Sequence, residues 1–296
     1  MNSAKLKIWI EAARPKTLWA AVAPVIIGSA MAYSDGKIHL LSAGVALIGA
    51  MLIQIGTNFA NDYFDFKKGA DTKGRLGPVR ATEAGLVKPK VMRNAFILVF
   101  FLAFLVGIYL IDRAGWPIFV IGVLSIIFGI LYTGGPYPLG YNGLGDIFVL
   151  IFFGPVAVGG TYYVQTLDIT WPVVLAGLSP GLISTALLTV NNLRDIHTDR
   201  QAGKRTLAVR FGVLFTRMEY LITLLLASCI VPLILLYMEP HHPYILAGLF
   251  VFLFALPSIK AVFLNEINAE LNEVLGRTGK ILLIYSIIFS LGWILT

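Results

Sequence analysis

The chain predicts an all-α polytopic membrane protein: nine transmembrane helices in one bundle with a pseudo-repeat, and the N-terminus in the cytoplasm. Three observations predict it. Of 296 residues, 57% are hydrophobic and only 13% charged, against about 25% charged in soluble domains. The apolar residues gather into runs of roughly 17–24, long enough as helix to cross ~30 Å of hydrocarbon. The cationic residues gather in alternate connecting segments. The alternating ten-residue segments of a membrane β-barrel are not seen.

The nine runs cover about 17–34, 40–61, 94–111, 116–133, 146–164, 172–190, 220–238, 244–264 and 281–296. The first has no clear small-residue cleavage site behind it, so it reads as a span and not as a removed signal peptide. Pro24, Pro155, Pro180, Pro232 and Pro257 fall within runs, where proline bends a helix whose freed groups find partners nearby. Gly177 and Gly181 form a G-x-x-x-G that permits close helix contact. The single cysteine, Cys229, lies in an apolar run and reads as an inert thiol; one cysteine excludes a disulfide framework.

The net charge is +7, but its placement argues against a nucleic-acid partner. With the N-terminus inside, only Lys37 and Arg113 of the 23 Lys and Arg fall outside the cytoplasmic segments. This is the positive-inside pattern, and with nine spans it puts the C-terminus outside. The long segments 62–93 and 191–219 are both cytoplasmic, while 35–39, 112–115, 165–171 and 239–243 are short outer turns. The single expected domain, 1–296, carries its functional loops on one face.

Both long segments open with oxygen-rich side chains. In the first, Asn58, Asn61, Asp62 and Asp65 share one helix face at i, i+3, i+4 and i+7; Asp71, past Gly69, falls on the following loop. In the second, Asn191, Asn192 and Asp195 cluster likewise, and Asp199 follows Asp195 at i+4 on the same face. Asn61, Asp62 and Asp65 match Asn191, Asn192 and Asp195 at a constant offset of 130 residues, which pairs span 2 with span 6 as an internal repeat. Carboxylates beside a membrane need a reason to be there. Hard oxygen ligands suit Mg²⁺, which takes a few carboxylates, waters and substrate phosphates. His241 and His242 sit in an outer turn, and His197 reads as a bystander.

Cations complete the pattern. Lys67 and Lys68 follow the first motif, and Arg194 and Lys204 surround the second. They suit a diphosphate bridged by Mg²⁺, and cationic residues at this face also meet anionic lipid. No P-loop or kinase signature is present, so a diphosphate carried on a lipid, its tail among the spans, fits better than ATP. The inner turn from Tyr132 to Asp146 is dense in Gly, Pro and Tyr. Tyr132 and Tyr141 there are suited either to facing an aromatic acceptor or a carbocation or to anchoring at the interface.

These motifs resemble the UbiA superfamily of intramembrane aromatic prenyltransferases, with Asn61-Asp62-x-x-Asp65 and Asp71 after the second span and Asp195-x-x-x-Asp199 after the sixth. The resemblance covers the whole chain. Arg14-Pro15-Lys16-Thr17-Leu18 and Asn191-Asn192-x-Arg194-Asp195 are similar to the branch of menaquinone biosynthesis that prenylates 1,4-dihydroxy-2-naphthoate. Five residues, Phe66 to Ala70, separate Asp65 from Asp71; the 4-hydroxybenzoate branch usually has three. Gly143-Leu144-Gly145-Asp146 departs from that naphthoate branch's usual Gly-Leu-Gly-Glu. The resemblance implies Asp65, Asp71, Asp195 and Asp199 as the catalytic carboxylates holding Mg²⁺, joined as ligands by Asn61, Asp62 and Asn192. It implies Asn61, Asn192, Lys67, Lys68, Arg194, Lys204, Tyr132 and Tyr141 at the substrates, a polyprenyl diphosphate and 1,4-dihydroxy-2-naphthoate, with loss of CO₂. The expected place is a bacterial cytoplasmic membrane with the site on its cytoplasmic side; oligomeric state is left open. Other acceptors in the family are 4-hydroxybenzoate, homogentisate, haem and chlorins. A cation-coupled transporter would also use acids and a repeat, but would put ionisable groups near the bilayer midplane, where these runs carry none.

Overall fold

A computed structural model describes residues 3–70 and 76–295. Asp71 lies outside the described residues. Every apolar run becomes helix. In chain order the helices are α1 (Ser3–Ala13), α2 (Pro15–Ser34), α3 (Leu40–Lys67), α4 (Pro89–Ala114), α5 (Trp116–Leu131), α6 (Gly145–Phe152) and α7 (Pro155–Thr166). They continue as α8 (Trp171–Arg194), α9 (Ile196–Gln201), α10 (Leu207–Leu225), α11 (Val231–Met238), α12 (Gly248–Leu264) and α13 (Leu271–Ile294). Pro15, Pro89 and Pro155 open α2, α4 and α7, where a missing N–H costs nothing.

Among the described residues, 8 helical segments are long and apolar enough to cross a membrane. The chain is an integral membrane protein. The fourth expected span is the shortest: α5 has 16 residues, a rise of roughly 24 Å. The fifth is two helices, because Gly154 leaves helical geometry (φ −110°, ψ −113°) just before Pro155. A Cβ on Gly154 would stand 2.3 Å from the Leu150 carbonyl oxygen and 2.7 Å from that of Gly177. The G-x-x-x-G of α8 therefore receives the backbone of this break. The seventh span starts earlier than expected, as α10, a π-turn (Leu226–Ile230) and α11 run on from Leu207 to Met238. Glu219 consequently lies within a helix. Gly212 (φ 84°) kinks α10 near its start.

α8 is the most enclosed span, and α4 turns Ile97, Leu98, Phe101 and Leu105 outward. The largest core joins α2, α7, α8 and α10 to α13. Polar pairs tie it: Tyr285 donates to Ser179 Oγ (2.9 Å), Ser179 to the Ala227 carbonyl in the π-turn (2.8 Å), and Tyr220 pairs with Thr278 (2.8 Å). Such bonds replace the hydrophobic drive that lipid removes. A second core joins α1, α3 and α4 through Trp9, Phe59, Phe96 and Phe100.

Candidate active site

α2 to α8 surround a cavity of ≈ 390 Å³. Its wall on α3 reads Ala46, Gly49, Ala50, Ile53, Gln54, Thr57, Asn58, Asn61 and Asp65, one helix stripe at spacings of three and four. Over that stripe the cavity follows α3 for roughly 28 Å, close to the thickness of a hydrocarbon core. It is apolar along most of its length and polar at the end that carries Asp65.

Two helix ends build the polar end. α3 stops because Gly69 takes φ 63° and the Ala70 N–H closes back on the Asp65 carbonyl (3.0 Å). This leaves Asp65 in the last turn. α8 stops at Asp195, which has left helical geometry (φ −95°, ψ 8°). The expected single face through Asp195 and Asp199 is thus two pieces, since Asp199 sits on the short α9. Its N–H still bonds the Asp195 carbonyl (2.8 Å), and both side chains line the cavity. Helix C-termini carry partial negative charge. Carboxylates placed there make a strongly negative pocket that demands cations.

Side-chain cations supply part of that demand. Asp65 is buried; it accepts from Tyr141 (2.6 Å) and pairs with Arg80. Lys204 bridges the two helix ends, 3.7 Å from Asp65 and 3.3 Å from Asp199. Its ammonium also stands 4.9 Å from the centre of the Tyr141 ring. Burial pushes the Asp199 carboxyl above its ordinary pKa, against the pull of Lys204. Asn61 accepts from Thr133 (2.8 Å), and Asn192 and Tyr132 also face the cavity.

Other expected residues are placed differently. Asp62 does not line the cavity. Its two oxygens accept from the Ala81 N–H (2.9 Å) and the Thr82 N–H (3.1 Å), so it fastens the segment that carries Arg80. Arg194 is almost fully buried and also stands outside the cavity wall. It grips Asp195 through two nitrogens (2.9 and 2.6 Å) and reaches Asn191 and Asn272 (2.8 Å each). Lys67 is exposed; Lys68 donates to the Thr133 carbonyl (2.7 Å), and its ammonium stands 4.7 Å from the centre of the Tyr141 ring, at the polar end beside Lys204. His197 is exposed. Among the described residues no group of three His, Cys, Asp or Glu converges closely enough to hold a metal unaided; Arg80 pairs with Asp65, and Lys204 stands between Asp65 and Asp199.

Sequence reasoning missed two cations of the cavity wall, Arg80 and Arg14. By sequence Arg80 is one of the cytoplasmic cations of the 62–93 segment, with no motif to single it out. Arg14 forms the elbow between α1 and α2 in the left-handed region (φ 54°, ψ 69°). Pro15 already bars it from ordinary helical geometry, so this is backbone strain of the kind found at functional sites. Asn58 holds the elbow, donating to the Ala13 carbonyl (2.9 Å) and to Thr17 (3.2 Å), and Gln54 donates to Thr17 (3.3 Å). The Arg14-Pro15-Lys16-Thr17 run was the available signal.

Residues 21–272 match the UbiA prenyltransferase family. The chain belongs to that family. Two UbiA relatives named 1,4-dihydroxy-2-naphthoate octaprenyltransferase resemble it along nearly their full length. That of Haemophilus influenzae is 39% identical over 99% of this chain and 97% of its own; that of Escherichia coli is 39% identical over 97% and 95%. A solved UbiA homologue from Archaeoglobus fulgidus, bound to GPP and Mg²⁺, shares the fold with a TM-score of 0.70 at 14% identity, over 98% of this chain and all of that one.

Proposed function

We propose that this protein transfers a polyprenyl group from polyprenyl diphosphate to 1,4-dihydroxy-2-naphthoate, with Mg²⁺ and loss of CO₂, giving demethylmenaquinol and, after oxidation, demethylmenaquinone. The whole chain acts as one prenyltransferase domain. The observation that carries the reading is the cavity itself: an apolar passage of membrane depth that ends between two carboxylate-bearing helix C-termini. The near-full-length similarity to the naphthoate octaprenyltransferases supports the acceptor.

The donor set fits a hard divalent cation. Asn61, Asp65, Asn192, Asp195 and Asp199 offer oxygens at the negative ends of two helices. Asp71 belongs to the same set by its place in the motif. Asp62 leaves the set, being held by the backbone of Ala81 and Thr82. When bound, Mg²⁺ supplies charge neutralisation of the leaving diphosphate. Arg80 and Lys204 line the same end and stabilise the charge that grows there as the allylic C–O bond breaks. Arg194 positions Asp195. Lys68, over the Tyr141 ring, adds positive charge to the diphosphate end, while the exposed Lys67 serves the membrane-facing charge.

The faces of Tyr132 and Tyr141 shield the allylic cation from water. Arg14 pairs with the acceptor's carboxylate and turns the naphthalene ring toward the allylic C1. The ring carbon bearing the carboxylate supplies the electron pair of the new C–C bond. The carboxylate departs as CO₂ and leaves its bonding pair in the ring, so that carbon has no proton to remove. The cationic distribution supports an N-terminus in the cytoplasm and a site on the cytoplasmic side of a bacterial inner membrane.

Mass spectrometry of lipid products tests the reading. Purified protein with Mg²⁺, polyprenyl diphosphate and 1,4-dihydroxy-2-naphthoate should yield a decarboxylated prenyl-naphthoquinone, abolished by EDTA and by Asp65→Asn. Product only with 4-hydroxybenzoate would overturn the acceptor. No product from any acceptor, with active controls, would overturn the prenyl transfer.

A further inference from the structure

The glycines around the cavity fall into two kinds. Gly56 and Gly129 are packing glycines. A Cβ on Gly56 would lie 2.8 Å from the Phe100 ring; one on Gly129 would lie 2.6 Å from Thr57 Oγ1 and 3.6 Å from the same ring. They let α3, α4 and α5 meet at one level around Phe100. Gly49, Gly107, Gly122 and Gly160 line the same cavity, yet a Cβ on any of them would meet nothing within 4 Å. None has positive φ. Neither a turn nor a close helix contact accounts for them, and each forgoes the helix stability of alanine.

Their placement is regular. Gly49, Gly107 and Gly122 each stand seven residues, two helical turns, from Gly56, Phe100 and Gly129, on the side away from Asp65. Three helices therefore withhold a side chain at one depth, and α7 adds Gly160. Gly49 is 16 residues from Asp65 along α3, roughly 24 Å. An isoprene unit adds four chain bonds, roughly 4.5 Å at the reach per bond of an extended backbone. A tail whose diphosphate rests at Asp65 thus meets the glycine level after about five units.

We infer that Gly49, Gly107, Gly122 and Gly160 form a chamber that admits the distal isoprene units of a long polyprenyl donor, and so set the tail length this enzyme accepts. The inference rests on the proposed prenyl transfer and adds its length specificity. Short donors end before the chamber and do not depend on it. Long donors must pass it, and a bulky side chain there excludes them.

The test compares the three-unit farnesyl diphosphate with the eight-unit octaprenyl diphosphate in wild type, Gly107→Phe and Gly122→Phe. Product is measured by mass spectrometry with 1,4-dihydroxy-2-naphthoate. Thermal stabilisation by each donor with Mg²⁺, without acceptor, is the second readout. Octaprenyl use should fall roughly tenfold or more through overpacking of the occupied chamber, while farnesyl use stays within about twofold of wild type, the change expected where no ligand atom reaches. Gly122→Leu, a smaller insertion, should show the same bias to a lesser degree and covers the case in which a phenylalanine variant fails to fold. An equal fall with both donors, or an unchanged preference in every folded variant, would overturn the chamber. A wild type that yields no prenyl-naphthoquinone from either donor would instead overturn the acceptor reading, and the stabilisation readout would still report on the chamber.

Discussion

Replacing Asp62 by Asn separates a loop fastener from a metal ligand. Asp62 is 2% exposed, and its two oxygens accept from the N–H groups of Ala81 and Thr82. Asparagine keeps one acceptor and turns an NH₂ toward the other N–H. The variant loses one charge-assisted bond, worth about 1.5–3 kcal/mol, and leaves one buried donor unsatisfied, worth about 1–3 kcal/mol. The two overlap, so roughly 2–4 kcal/mol is the expected loss in the docking of the segment that carries Arg80. Limited proteolysis of the 76–88 segment should quicken, and thermal stability should fall. Activity should fall through Arg80 as a raised KM for the polyprenyl diphosphate. The Mg²⁺ concentration for half-maximal activity should not move. A variant with native proteolysis and stability but a several-fold higher Mg²⁺ requirement would refute this reasoning and restore Asp62 to the metal.

Arg194 and Lys204 should behave oppositely. Arg194→Ala leaves Asp195 buried without its bidentate partner and should cost about 3–5 kcal/mol of stability, read as loss of folded protein in a thermal-inactivation series. Lys204→Ala should cost less stability than Arg194→Ala, because Asp65 keeps Arg80 and Tyr141, but should raise the KM for polyprenyl diphosphate roughly ten- to a hundredfold, in steady-state kinetics; a purely thermal defect there would count against a diphosphate role. Arg14→Gln should raise the KM for 1,4-dihydroxy-2-naphthoate and leave that for the donor unchanged, and the reverse split would move Arg14 to the diphosphate.

What the sequence showed and what it hid follow from the range of the forces involved. Helical spans were legible because apolar length against a bilayer is a local quantity. The ends of α3 and α8 were legible because oxygen-rich side chains at the close of an apolar run have few other uses. Arg80 was not legible. It follows Asp65 by fifteen positions, and nothing periodic in the intervening sequence says where its chain returns. Lys68 and Arg194 looked equivalent to Lys204 because all three adjoin acids in sequence. Only the fold turns Lys68 to a carbonyl and buries Arg194 behind Asp195, leaving Lys204 between the two helix ends. The break at Gly154 was hidden for the same reason, since the Gly177 backbone that requires it lies on another helix.

The match at 130 residues shows how far a short repeat carries. Asp65 and Asp195 face the cavity, as do Asn61 and Asn191, but Asp62 turns to the Ala81–Thr82 backbone while its counterpart Asn192 lines the wall. The two helix ends differ. α3 continues past Asp65 to Lys67, whereas α8 ends at Arg194 and Asp195 already bends toward α9. A residue three positions before each aspartate therefore meets a different surrounding. In the first half a carboxylate is held by two backbone donors; in the second an amide needs no counter-charge beside Asp195 and Asp199. Had both positions been aspartate and both faced the cavity, two further buried negative charges would have joined Asp65, Asp195 and Asp199, against Arg80, Arg14 and Lys204 as the cations of the wall among the described residues. The asymmetry keeps the carboxylates that face the cavity to Asp65, Asp195 and Asp199 among the described residues, so that cationic charge remains there for an incoming diphosphate.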